Sequence, residues 1–161
     1  MLAGGKSILG TGFRTDPSGR YFVIMRDGHS LMGMLDDPER VLASSSIGAM
    51  ALFEQDDTLY LFGNDDDVDT CICEVYRRRP TGYALADVFR IVRPLKRPTP
   101  FVVMDFQPAS GRALFRDIRD ERPARWFLYS LPQRTLVPVG SGAGVGFFLK
   151  RNPLSGLDAG Q

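Results

Sequence analysis

This 161-residue chain has almost no histidine and little cysteine: His29 stands alone, and Cys71 and Cys73 are the two cysteines. A nucleophilic site built on a histidine base needs a serine or cysteine beside it and an acid to orient it. No Gly-x-Ser-x-Gly occurs, and His29 follows Asp27-Gly28, where a surface turn residue is expected. There is no 18-residue apolar run, which excludes a helical membrane span. Neither charge sign dominates: 20 Lys+Arg against 19 Asp+Glu leave +1, which gives no reason to expect nucleic acid as a partner. The start, Met1-Leu2-Ala3-Gly4-Gly5-Lys6, lacks the basic and apolar regions of a secretory signal, so taken literally the chain is cytoplasmic. At i and i+2 on a strand, Cys71 and Cys73 share a face with Cα atoms about 6.5–7 Å apart, at the edge of what a disulfide bridges. Two buried reduced thiols is the plain reading, and it leaves the compartment open.

Sustained helical periodicity is also missing. Only Asp36 to Leu42 and Tyr83 to Phe89 would let a short helix compete with strand. Turn residues, by contrast, are plentiful, with Gly 17 and Pro 11. In Phe106-Gln107-Pro108-Ala109-Ser110-Gly111-Arg112 an apolar run meets a turn in which Pro presets φ and Gly supplies φ > 0. Phe13-Arg14-Thr15-Asp16-Pro17-Ser18-Gly19-Arg20-Tyr21 repeats that arrangement, and Phe53 to Phe62 holds a more diverged copy. Phe13, Phe53 and Phe106 are separated by 40 and 53 residues, in and just above the spacing of propeller blades.

Each unit then resolves into four strands. The first takes Ile8–Phe13, Tyr21–Met25, His29–Leu35 and Arg40–Ala43, with Asp36 to Glu39 turning the chain. The second takes Met50–Phe53, Thr58–Phe62, Thr70–Tyr76 and Tyr83–Val92, and the third Phe101–Phe106, Arg112–Asp117, Arg125–Leu131 and Arg134–Val139. The expected fold is all-β: three four-stranded antiparallel blade-like units forming an incomplete or open β-propeller. Residues 1–150 make a single domain (units roughly 6–47, 48–94 and 100–150), and 151–161 a flexible tail. The Val145 to Leu149 run resembles a further first strand, or one that closes the sheet against unit one.

The polar constellations give little chemistry. Gly140 to Gly146 lacks the Gly-Lys-Ser/Thr ending of a phosphate loop and reads as a flexible connection. Asp65, Asp67 and Asp69 alternate like the start of a calcium loop, but Thr70 replaces its Gly and Tyr76 its bidentate Glu. A solvated, repelling loop is the expectation, with a calcium- or sugar-binding module as the alternative; no metal and no cofactor are expected. Arg77-Arg78-Arg79 and the Arg93 to Arg97 stretch read as solvated edges. Glu39, Asp56, Asp87 and Glu121 single out no acid/base pair, so no enzymatic activity is expected. What remains is a set of turns on a rigid β scaffold, a common means of protein binding.

In size, in incomplete-propeller organisation and in hairpins such as Pro108-Ala109-Ser110-Gly111, the stretch from Lys6 to about Leu149 resembles the immunity proteins that neutralise peptidoglycan amidases of bacterial type VI secretion. The resemblance implies a non-enzymatic periplasmic protein, its signal peptide absent from this chain, that plugs a Cys/His amidase active site with a serine-bearing loop. The partner is then a cognate effector amidase, with no membrane or nucleic acid involved. The contact residues are Gln107, Pro108, Ala109, Ser110, Gly111 and Arg112, with Arg116 adding charge at the cleft rim. Ser18 is the second candidate and Ser44, Ser45 and Ser46 the third. The alternative is a structural module that self-associates, or completes another chain's sheet, through free sheet edges.

Overall fold

The computed structural model describes residues 12–64, 67, 69–94, 101–117 and 123–142, and these contain twelve strands and no helix. The first sheet comprises β1 (Arg14–Thr15), β2 (Tyr21–Arg26), β3 (His29–Met34) and β4 (Asp37–Ser45). The second comprises β5 (Gly48–Gln55), β6 (Thr58–Asn64), β7 (Thr70–Arg79) and β8 (Gly82–Val92). The third comprises β9 (Phe101–Gln107), β10 (Arg112–Asp117), β11 (Ala124–Ser130) and β12 (Thr135–Gly142). Each is an antiparallel meander in chain order, and the sheets stay separate and open, as blade-like units.

The turns explain the register. Asp27-Gly28 and Asp56-Asp57 carry positive φ at both positions (50° and 78°, 52° and 59°), the geometry of two-residue hairpin loops matched to strand twist. Alternation along the strands then gives the middle sheet two apolar faces. One carries Leu52, Leu59, Leu61, Ile72 and Tyr76 and packs on Tyr21, Val23, Met32 and Leu42 of the first sheet. The other carries Phe53, Phe62, Cys73, Val75 and Phe89 and packs on Phe101, Phe106, Phe115 and Phe127 of the third. Burying each large apolar side chain contributes about 1.5–3 kcal/mol, so the middle sheet is secured from both sides.

Both stretches where a helix could compete are strand: Asp36 to Leu42 falls mostly in β4 and Tyr83 to Phe89 in β8. Two details differ from expectation. The turn expected at Asp36 to Glu39 is tighter, at Leu35-Asp36, because Met34 already pairs with Asp37. Pro38 consequently lies within β4, which an outermost strand tolerates because its free side needs no ladder donor. Among the described residues the first strand is Arg14–Thr15, set by pairing with Val23 and Phe22, and Gly12 and Phe13 precede it as turn and coil. Residues 8–11, the 95–100 connection, the Val145 to Leu149 run and the tail lie outside the described residues.

Candidate functional site

The β9–β10 turn is anchored before it begins. Phe106 enters the second sheet with its ring 4.8 Å from Tyr60, 5.0 Å from Phe62 and 5.4 Å from Phe53. Gln107 follows and pairs with Arg112 across the hairpin. The backbone N–H groups of Ser110 and Gly111 donate to the carbonyls of Gln107 (3.2 Å) and Pro108 (3.1 Å). Gly111 sits at φ 63°, and a Cβ there would come within 2.9 Å of the Pro132 ring. Both facts demand glycine at this position. The Ser110 hydroxyl donates to the Gln107 amide oxygen at 2.7 Å. Ala109 is exposed at the tip, and Ser110 is half-buried behind it.

A groove of about 290 Å³ opens beside this turn. Its walls are Pro108 to Gly111 and Leu131-Pro132 of the third sheet, and Tyr60, Val75, Arg77, Asp87 and Phe89 of the second. The β11–β12 turn closes one end: the Arg134 guanidinium lies 4.4 Å from the Phe89 ring centroid and 3.4 Å from the Asp87 carboxylate. Arg77 has no carboxylate partner among the described residues. Burial raises the Tyr60 hydroxyl above its usual pKa, with nearby Cys73 adding to the effect and Arg77 opposing it. The phenol is therefore a proton donor at neutral pH.

The β1–β2 turn, with Ser18, is built on a different acceptor. Asp16 is buried and its carboxylate takes the Ser18 N–H and hydroxyl (3.1 and 2.6 Å) and the Arg20 and Tyr21 N–H groups (3.1 and 2.9 Å). Ser18 itself is exposed. The middle sheet stands between this turn and Ser110, so the two serine-bearing turns belong to different interfaces.

The remaining candidates scatter. Ser44 and Ser45 end β4 and Ser46 follows, at the rim opposite the serine-bearing turns. Arg112 is exposed and alternates with the inward Ala113 and Phe115, so it lies on the outer face of the third sheet, away from the groove. Arg116 lies four residues along β10, about 13 Å from the turn, and its guanidinium packs on Trp126 at 5.7 Å. His29 is exposed at the start of β3. Burial pushes the Cys71 thiol up to about 12, and burial with the neighbouring Cys71 pushes Cys73 well up; both are free and protonated, the opposite of an activated nucleophile.

Asp69 is taken up by a buried cluster. The Arg93 Nε donates to Asp69 at 2.6 Å and its Nη1 to Asp117 at 3.1 Å, joining the second sheet to the third at the rim opposite the groove. Asp67 accepts the Thr70 hydroxyl at 2.8 Å and the Asp69 N–H at 3.0 Å. Two of the three alternating aspartates therefore hold protein donors, and Asp65 lies outside the described residues.

Tyr60, Arg77, Phe89, Leu131, Pro132 and Arg134 were not among the expected contact residues. Apart from Phe89, which lies mid-ladder in β8 opposite Cys73, their one sequence signal is position near hairpin ends on neighbouring units, since only the packing of two sheets brings them together. In comparison with known proteins, no family model and no curated protein matches this chain.

Proposed function

We propose that this chain is a non-enzymatic immunity protein that binds a cognate peptidoglycan amidase and covers its Cys/His active site with the 107–112 turn. The observation that carries the reading is the preorganised turn, locked by Phe106 below and by the Gln107–Ser110 bond within. A loop already in its bound shape spends little ordering entropy on association. Ser110 uses its proton on Gln107, which leaves its oxygen lone pairs to accept from a catalytic imidazole N–H. A hydroxyl in that place offers the nucleophile no carbonyl to attack. Since its target acts on peptidoglycan, the reading puts the protein in the periplasm.

The test is co-purification from the source organism followed by mass spectrometry and a peptidoglycan hydrolysis assay. A stoichiometric amidase, inhibited by the wild-type chain and released by Ser110→Trp with the fold intact, is the expected result. Inhibition unchanged by Ser110→Trp overturns the role of the turn. A second reading has its own observation: Val41, Leu85, Val88, Val92, Val137 and Val139 are exposed on the outermost strands β4, β8 and β12. Of these edges only β8 lacks a proline within its strand, so it is the edge open to pairing with a second copy or another chain. A mass in sedimentation that rises with concentration identifies that module.

A further inference from the structure

We infer that the groove beside the 107–112 turn receives a carboxylate side chain from an extended acidic segment of the partner protein, with Arg77 and Tyr60 as its ligands. The inference deepens the binding reading above and rests on it for the existence of a protein partner. The charge pattern of the groove is its basis. Asp87 in the wall is bridged by Arg134 at 3.4 Å, and Asp57 near Arg77 is bridged by Arg78 at 2.9 Å. Asp56 is engaged by the Gln55 amide at 3.2 Å. Arg77, set between these groups, keeps its whole guanidinium for a ligand, and among the described residues the Tyr60 hydroxyl has no hydrogen-bond partner. A fork of N–H donors beside a protonated phenol fits the two oxygens of a carboxylate.

The shape of the surface selects a chain segment over a small acid. Arg77 also lines a second depression of about 570 Å³, open to solvent, with Asp56 to Thr58 and Arg78 to Pro80 around it. The two depressions meet at Arg77, so a ligand seated there continues along the rim on one side and past Ala109 on the other. The apolar wall of Val75, Phe89, Pro108 and Leu131 takes the methylenes that carry the carboxylate.

A direct probe is the peptide acetyl-Ala-Glu-Glu-Ala-amide, compared with its glutamine isostere, titrated into the full isotope-labelled chain and followed by amide NMR shifts. The expected result is one saturable process at Tyr60, Arg77 and Ser110, given by the glutamate peptide only and weakened by salt. Arg77→Gln weakens it by about tenfold and Tyr60→Phe by about threefold, while Arg20→Gln on the first sheet leaves it unchanged. Equal shifts from the glutamine peptide, no saturable shift at all, or titration unaltered by Arg77→Gln overturns the inference. The two readings fail separately. An amidase complex broken by Ser110→Trp with no peptide binding sinks the carboxylate site alone. Peptide binding that needs Arg77, beside an amidase complex indifferent to Ser110→Trp, upholds the site and sinks the turn.

Discussion

The two serine-bearing turns start from similar sequences and reach order by different means. At Asp16 to Tyr21 a buried carboxylate gathers four donors within six residues, so that turn is organised by its own charge. At Gln107 to Arg112 a neutral amide takes the Ser110 hydroxyl and two backbone bonds close the turn, while Phe106 anchors it to the neighbouring sheet and Pro132 of its own sheet lies against Gly111. The first turn is therefore held mainly from within, with the Arg20 carbonyl taking the Leu35 N–H at 2.9 Å, whereas the second is a part of the interface between sheets. That dependence ties the shape of the second turn to the groove beside it and makes the two one site.

Removing the anchor of the second turn breaks the comparison most severely. Phe106→Ala is expected to destabilise the fold by about 3–5 kcal/mol in urea unfolding. Phe13→Ala, which removes a half-buried ring stacked on Phe22 at 5.9 Å, costs less, about 1–2 kcal/mol. Equal losses would show that the two turns lean equally on their neighbours. Next in size, Asp16→Ala strips the acceptor from a buried Tyr21 N–H and is expected to cost about 2–3 kcal/mol, against about 0.5–1.5 kcal/mol for Gln107→Ala. A larger loss at Gln107 would reverse the assignment of which turn is self-contained. The smallest effect concerns the thiols behind the groove. In the native protein at pH 8, Cys71 and Cys73 should stay unlabelled by a thiol reagent over the time in which urea-unfolded chain reacts fully, because both are buried and protonated.

Much of this architecture was readable from local patterns. The strand ends of the second and third sheets fall within three residues of expectation, because Pro80-Thr81-Gly82 and Pro108 to Gly111 announce turns through backbone chemistry. The face that Arg116 shares with Arg112 was legible too, since both alternate along β10 with the inward Ala113 and Phe115. The cluster of Arg93 with Asp69 and Asp117 has no local signature, since each carboxylate is 24 residues from the guanidinium and only sheet packing unites them. Arg77 was hidden for the same reason. In sequence it is one of three consecutive arginines, and its difference from Arg78 appears only when Asp57 pairs with one and not the other.

The placement of the second sheet between two others also governs how the molecule opens. Fraying of the first or third sheet uncovers one face of the middle strands and leaves their ladders intact. Exchange of the amides of Leu59, Leu61, Cys71 and Cys73, all fully buried, then requires both flanking sheets to be lost together. These amides should report the global unfolding free energy, while those of β1 and β12 exchange through local openings that leave the rest of the protein folded.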